Sequence, residues 1–146
     1  MFKRFLCAIT AALLCLALPV TANAEAVLAG VVAEEITPRY SDTITPKADL
    51  VISGSNATCS CSANGTTDIK SISVVMTLEK SGLFGIYSAV SGAKWTKTAS
   101  GRSISLSGSV DNLSSGTYRV KAVFTVTMKD GSTETITEYS ATEKAG

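Results

Sequence analysis

Two cysteines separated by a single residue form the most chemically capable pair in this chain. Cys59 and Cys61 flank Ser60, and side chains two residues apart lie on the same face of a β-strand. Two thiols on one face could bind a soft metal ion such as Cu(I), with Met76 or Met128 as a thioether ligand. They could also form a strained, easily reduced disulfide.

The residues around this pair favour a second interpretation. Ala57 and Ala63 continue the same face, while the intervening positions are serine and threonine. This alternation predicts that Cys59 and Cys61 are small apolar side chains in a crowded core. Buried thiols are unreactive, so the pair is only a weak candidate for a metal site.

Histidine is absent from the whole sequence. This excludes Ser-His-Asp and Cys-His catalysis and every histidine-ligated metal site. The carboxylates are scattered over predicted turns and strand ends, and the one adjacent pair is Glu34 and Glu35. No glycine-rich phosphate-binding loop is present. The sequence therefore predicts a protein that is not an enzyme and needs no cofactor.

Three aromatic residues, Phe84, Tyr87 and Trp95, lie in residues 81–101, which are rich in glycine and serine and are predicted to be a loop. Aromatic side chains on such a loop can stack on sugar rings or anchor a protein partner. The alternative is that Trp95 and Phe84 close one end of the core. Tyr87 is then the better surface candidate.

A second candidate surface follows from the last predicted hairpin. Asp130 and Gly131 are the residue pair that a two-residue type I′ turn favours. With that turn, Val123 and Ile136 lie on the outer side and form a strip that could receive a partner. Alternatively, the chain's own residues 36–44 cover the strip.

The N-terminus has the pattern of an export signal. Lys3 and Arg4 precede an apolar run over residues 5–20, which is too short for a membrane span, and small residues end at Ala24. We expect cleavage after Ala24, with Ala33 as an alternative site. The product is expected to be secreted, either released or associated with the cell envelope.

Charge and cysteine count narrow the class of protein further. The chain has 13 Lys and Arg against 12 Asp and Glu, and loss of two basic residues with the signal brings the net charge to −1. This balance gives no electrostatic argument for nucleic acid or for an anionic membrane surface as a partner. No later segment is apolar enough for a membrane span. Two cysteines remain after cleavage, so the domain depends on its apolar core rather than on disulfides.

Apolar residues alternate with serine and threonine through most of the chain after residue 50. A period of two over about seven short segments predicts two antiparallel sheets packed face to face. We therefore expect an all-β, immunoglobulin-like sandwich over residues 47–146, preceded by a helical signal peptide over residues 1–24 and an N-terminal arm over residues 25–46.

One segment resembles the corner between the fifth and sixth strands of an immunoglobulin or fibronectin type III domain. Tyr118 matches the tyrosine that bonds back to this corner, and Gly116 matches the small turn residue before it. Val120 stands where antibody-like domains have a disulfide cysteine. The resemblance therefore implies the sandwich without its inter-sheet disulfide.

Short patches spread over roughly residues 36–142 carry a wider resemblance. They are Pro38-Arg39-Tyr40, residues 50–59 (LVISGSNATC), residues 72–80 (ISVVMTLEK), Trp95, residues 116–121 (GTYRVK), Asp130-Gly131 and residues 134–140 (ETITEYS). They are similar to a family of small secreted domains of unknown function from Gram-positive, often gut-dwelling, bacteria. This resemblance implies the compartment and the fold, and no activity.

Three functions are compatible with these features. The first is a secreted, non-enzymatic binding module that contacts an extracellular glycan or protein through residues 81–101 or the last hairpin. The second is a structural or self-assembling envelope protein whose apolar residues 26–33 add a strand to a neighbour. The third, less favoured, is a thiol or Cu(I) protein that uses Cys59 and Cys61.

Overall fold

The computed structural model describes residues 43–146. The predicted signal peptide, both candidate cleavage sites and residues 25–42 of the predicted arm lie outside the described residues. The first strand begins at Ile44, so the last three residues of the predicted arm are part of a strand of the domain.

Eight strands and one short 3₁₀ turn make up the described part of the chain. They are β1 (Ile44–Ser53), β2 (Asn56–Gly65), β3 (Ile69–Ser81), the 3₁₀ turn (Leu83–Gly85), β4 (Tyr87–Ser100), β5 (Ser103–Val110), β6 (Gly116–Met128), β7 (Thr133–Tyr139) and β8 (Glu143–Ala145).

The strands form two antiparallel sheets. One sheet has the order β1-β2-β5, and the other has the order β4-β3-β6-β7, with β8 paired to the first residues of β6. The protein is thus an all-β, immunoglobulin-like sandwich, as predicted, with the short β8 added to about seven expected strands. Consecutive strands connect by hairpins within a sheet or by crossings between the sheets.

The core lies between the two sheets and follows the alternation read from the sequence. In β3 and β6 the inward positions are fully buried, while their neighbours are hydroxyl or charged residues except for Val75 and Val123. The buried residues of the two central strands are Ile72, Val74, Met76 and Leu78 in β3, and Tyr118, Val120, Ala122, Phe124 and Val126 in β6. Their burial removes apolar surface from water, which is the main force that holds the two sheets together.

Residues 81–101 are mostly a strand, so the predicted loop is wrong over most of its length. Thr77 pairs with Lys94 but Glu79 pairs with Ala89, which means that β4 contains extra residues in a bulge. Gly92 adopts a φ of 76° within this bulge. A bulge changes which residues point inward, so apolar and polar residues do not alternate regularly along β4. The sequence pattern therefore does not indicate a strand here.

The predicted two-residue turn between β6 and β7 is also wrong. The Met128 N–H donates to the Ser132 carbonyl, so three residues form the loop, and Gly131 adopts a φ of 90°. Asp130 accepts hydrogen bonds from the hydroxyl and the N–H of Ser132, and these hold the pKa of Asp130 below its ordinary value. This is the three-residue hairpin loop with a left-handed glycine.

A buried tyrosine ties the start of β6 to the loop that precedes it. The Tyr118 hydroxyl donates to the Ser114 carbonyl at 2.6 Å and lies 3.2 Å from the Ser114 hydroxyl. Gly116 begins β6 between these two residues. This is the geometry of a tyrosine corner, in which one side chain locks the connection between the two sheets.

We expect Tyr118→Phe to lower the free energy of unfolding by about 1–2 kcal/mol, because the ring stays buried while the Ser114 carbonyl loses its donor. Tyr139→Phe is the matched control, since Tyr139 is a more exposed tyrosine near the end of the same sheet. Urea denaturation of both variants measures the difference. An equal loss in the two variants would contradict a role for the corner bond.

Candidate functional site

The two cysteines are core residues. Cys59 and Cys61 are both free and buried on the inner face of β2, opposite Leu50 and Ala48 of β1. Burial raises the pKa of both thiols to about 11 because the thiolate would lose its hydration. Protonated, buried thiols are poor metal ligands and poor nucleophiles.

Trp95 bridges the two sheets at one edge of the sandwich. Its half-buried indole lies on Gly108 of β5, so closely that a Cβ at Gly108 would come within 2.2 Å of the ring. On the same edge, the Lys97 ammonium donates to the Ser105 carbonyl at 2.8 Å. Trp95 therefore closes the core, and β4 covers part of the backbone edge that β5 would otherwise expose.

The outward strip of Val123 and Ile136 does not form. In the observed register Phe124 pairs with Ile136, and Val123 pairs with Thr137. Ile136 packs against the core, whereas Val123 lies on the outer face. The three-residue loop moves the pairing by one residue, and a shift of one residue places a side chain on the opposite face of the sheet.

The most exposed apolar residues of the described domain lie together at one hairpin. Leu83, Phe84 and Ile86, here called the hairpin tip, are 83%, 96% and 68% exposed. They follow one another in the short turn that connects β3 to β4, with Gly82 and Gly85 as the small residues between and beside them. Of the predicted site residues, Phe84 is thus the one that the structure exposes most.

The backbone of the turn holds these side chains outward. The Gly82 N–H donates to the Ile86 carbonyl at 2.7 Å and closes the loop, and the Ile86 N–H donates to the Leu83 carbonyl. Phe84 has a φ of 61°, a left-handed conformation that costs roughly 1–3 kcal/mol in a residue other than glycine. The fold thus keeps a strained residue at the point where its ring meets solvent.

An arginine lies between two tyrosine rings directly below the tip. The Arg119 guanidinium carbon is 3.8 Å from the centre of the Tyr87 ring and 4.3 Å from that of Tyr139. Its Nε donates to the Glu79 carboxylate at 2.8 Å, and both charged side chains are largely buried. We call Tyr87, Arg119 and Tyr139 the arginine stack.

The stack spans all the long strands of its sheet. Tyr87 belongs to β4, Arg119 to β6 and Tyr139 to β7, while Glu79 belongs to β3 and pairs directly with Arg119. The Glu79–Arg119 pair lies two residues, or about 7 Å, from the last residue of β3, whereas Tyr87 pairs with that last residue, Ser81. Cation–π contacts and the ion pair together make this end of the outer face rigid.

A recess with both polar and apolar lining lies on the other side of the same end. It has a volume of about 390 Å³ between β4 and the β5–β6 loop. The Lys80 ammonium donates to the Ser114 hydroxyl at 2.7 Å and lies 5.6 Å from the centre of the Tyr118 ring. Its lining combines polar side chains such as Lys80 and Asn112 with aliphatic ones such as Val90 and Leu113, so the recess is mixed in character.

Residues 43–146 contain no group of three or more histidine, cysteine or acidic side chains arranged to hold a metal ion. Within the same residues, no helix has the length and apolar character needed to cross a membrane.

The chain matches no protein-family model and no curated protein sequence. Solved structures resemble it distantly. The solution structure of R. palustris CsgH is 15% identical with a TM-score of 0.36, and the match covers 66% of this chain and 88% of that one. The CARDB domain of the PF1109 protein from Pyrococcus furiosus, solved with di-metal ions, is 16% identical with a TM-score of 0.35, covering 68% and 86%.

A third similar structure is catalytically inactive OgpA from Akkermansia muciniphila in complex with an O-glycopeptide. It is 14% identical with a TM-score of 0.34, and the match covers 71% of this chain but only 31% of OgpA. Similarity at this level assigns neither a ligand nor an activity. No comparison supports the Gram-positive origin that the sequence resemblance implied.

Sequence reasoning found one residue of the tip and one of the stack, Phe84 and Tyr87, and missed the other four, which are Leu83, Ile86, Arg119 and Tyr139. Leu83 and Ile86 carried a signal, since they flank Phe84 in a glycine-rich segment where exposed apolar residues are unusual. Arg119 carried none, because its tyrosine partners come from strands far apart in the chain.

We expect Gly108→Ala to displace the indole of Trp95, because a Cβ cannot fit against the ring. Overpacking of this kind costs about 1–3 kcal/mol of stability. Trp95 is the only tryptophan, so its displacement is read directly as a red shift of the intrinsic fluorescence. Ser107→Ala, on the exposed face of the same strand, is the control. Unchanged emission in Gly108→Ala would show that the indole does not depend on this contact.

The stability of the domain should fall at high pH because of Cys59 and Cys61. Burial raises their pKa from the ordinary value of 9.0 to about 11 in the fold, so the folded state favours the neutral thiols. Their contribution is complete below pH ~9 and is lost as the pH rises towards about 11, at about 1.4 kcal/mol per pH unit for each thiol.

Urea denaturation from pH 8 to 11 (roughly this window) measures the effect. The double variant Cys59→Ala/Cys61→Ala keeps every other titrating group, so its stability should decline less steeply than that of the wild type. Parallel curves for the two proteins would contradict the assignment to the thiols.

Proposed function

We propose that this chain is an exported, non-enzymatic binding module that contacts an extracellular partner through the hairpin tip. Export is supported by the signal pattern of residues 1–24, and the non-enzymatic character by the absence of histidine. The domain supplies a rigid support, and the tip supplies the contact.

The observation that carries this proposal is the exposure of the tip. Leu83, Phe84 and Ile86 leave most of their surface in water although the adjoining strands bury their inward side chains. An apolar residue of this size contributes ~1.5–3 kcal/mol when a partner removes it from water. Three together give roughly 5–9 kcal/mol before the cost of association, which is sufficient for weak, reversible binding.

Because the turn is rigid, less of this energy is offset by the entropy cost of ordering the loop, and the binding affinity is higher. The Gly82–Ile86 hydrogen bond and the strained Phe84 keep the three side chains in place before binding. A preorganised loop loses less conformational entropy when its partner arrives.

The partner is therefore expected to present an apolar surface. Sugar recognition combines an aromatic face with polar groups beside it, and the nearest neighbours of Phe84 are leucine, glycine and isoleucine. Of the two partners considered from the sequence, a glycan and a protein, this argues against the glycan.

Two other functions receive less support. Strand addition to β1 is opposed by Pro46 and by the charged pair Lys47 and Asp49, whose side-chain atoms lie 3.1 Å apart on this edge strand. The proposed donor strand, residues 26–33, lies outside the described residues. Thiol or Cu(I) chemistry would first require both cysteines to leave the core.

We expect Phe84→Ser, and more strongly Leu83→Ser/Phe84→Ser, to reduce binding roughly tenfold or more, since each removes a large apolar contact. Binding of the exported protein to whole cells, cell-wall preparations, mucin and immobilised glycans measures the effect. Val51→Ser is the matched control, because Val51 is 64% exposed on a different sheet. Equal binding of all variants would refute a role for the tip.

A further inference from the structure

We infer that the surface which receives the hairpin tip is a lipid bilayer, and that Leu83, Phe84 and Ile86 insert at the level of its headgroups. This inference rests on the proposed function, since it assigns a chemical class to the partner of the same site.

The shape of the tip is the first argument. Three apolar side chains project from one tight turn at the end of two long strands, and none of them belongs to the core. A convex apolar surface is removed from water either by a pocket of matching shape or by a deformable medium. The interfacial region of a bilayer is deformable, and it accepts apolar side chains without shape complementarity.

The residues directly behind the tip are the second argument. Tyr87 follows Ile86 in the chain and, with Tyr139, flanks the Arg119 guanidinium. The Lys80 ammonium lies at the same end of the domain. Tyrosine, arginine and lysine are the side chains that occupy the membrane–water interface, where the rings face the acyl boundary and the cations face phosphate.

The order of these chemical types matches the depth profile of a bilayer surface. Apolar residues stand outermost, and Arg119 pairs with Glu79 two residues, or about 7 Å, before the last residue of β3, a distance similar to the depth at which interfacial segments are buried. Lys80, next to the last residue of β3, is thus placed where lipid phosphates would lie when the tip is inserted, whereas the charge of Arg119 is already balanced by Glu79.

The backbone of the turn also suits shallow insertion. Two N–H groups of the turn, those of Gly82 and Ile86, are satisfied inside the loop. An unpaired backbone group is costly in an apolar medium, so a closed turn enters it more readily than an open one.

A second copy of the domain is a poorer fit. Two recesses of the described residues have volumes of about 390 and 450 Å³. The first includes Lys80 and Asp111 among its lining residues, and the second includes Lys70, Arg102 and Lys129. Burial of the tip in either recess would desolvate charged groups without pairing them.

Flotation with vesicles tests the inference. The full exported chain is mixed with vesicles of phosphatidylcholine and with vesicles that also contain phosphatidylglycerol, and the bound fraction gives the partition coefficient. We expect binding to both, stronger with the anionic lipid, with a loss of roughly tenfold or more in Phe84→Ser and less than about twofold in Val51→Ser.

Insertion itself is measured with Phe84→Trp in a Trp95→Phe background, which leaves one tryptophan at the tip. Its emission should shift to the blue with vesicles, and brominated acyl chains should quench it. If Trp95→Phe impairs folding, the quenching is measured in Phe84→Trp alone, with the wild type as the reference for Trp95.

The outcomes separate this inference from the proposed function. No flotation, or flotation that Phe84→Ser leaves unchanged, would overturn the lipid assignment. If Phe84→Ser at the same time abolishes binding to a cell-wall or protein fraction free of lipid, the tip is a binding site for a different partner and the proposed function stands. If neither assay responds to the tip, both proposals fail.

Discussion

The pairing of β3 with β6 is the constraint on which the rest of the structure depends. It brings Val74 opposite Phe124 in the interior and Glu79 opposite Arg119 on the outer face. Side chains alternate strictly between the two faces, so a slip of one residue would bury the ion pair and expose the core. The large difference in free energy between these two arrangements makes the register unique.

The arrangement of the outer face near the hairpin tip follows from this register. Arg119 is held by Glu79 and by tyrosines from β4 and β7, the two outer strands of the sheet, and this places an aromatic and ion-paired group behind the hairpin tip. The tip has no share in the core. Its three apolar side chains do not stabilise the fold, while Phe84 adds backbone strain. A feature that costs stability and remains exposed is more readily explained by binding than by folding.

The sequence was most informative where strands are regular and half-buried. The alternation in β2, β3 and β6 correctly indicated the inward residues, including both cysteines, because burial of one face repeats every second residue. It failed at β4, where a bulge interrupts the period, and at the β6–β7 loop, where Asp130 and Gly131 are compatible with two loop lengths. Both failures concern the backbone geometry of a few residues, which side-chain patterns represent poorly.

By itself, the sequence determined the fold class, the inward faces of the regular strands, and the exclusion of histidine chemistry, because these depend on residue type and local period alone. Only the tertiary structure decided which aromatic residues are exposed. Trp95 lies on Gly108, Phe84 projects into solvent, and Tyr87 stacks on Arg119. The two residues of the Trp95–Gly108 contact, and those of the Tyr87–Arg119 contact, belong to different strands. The packing of these strands, rather than any local preference, brings some aromatic side chains into contact and leaves Phe84 exposed.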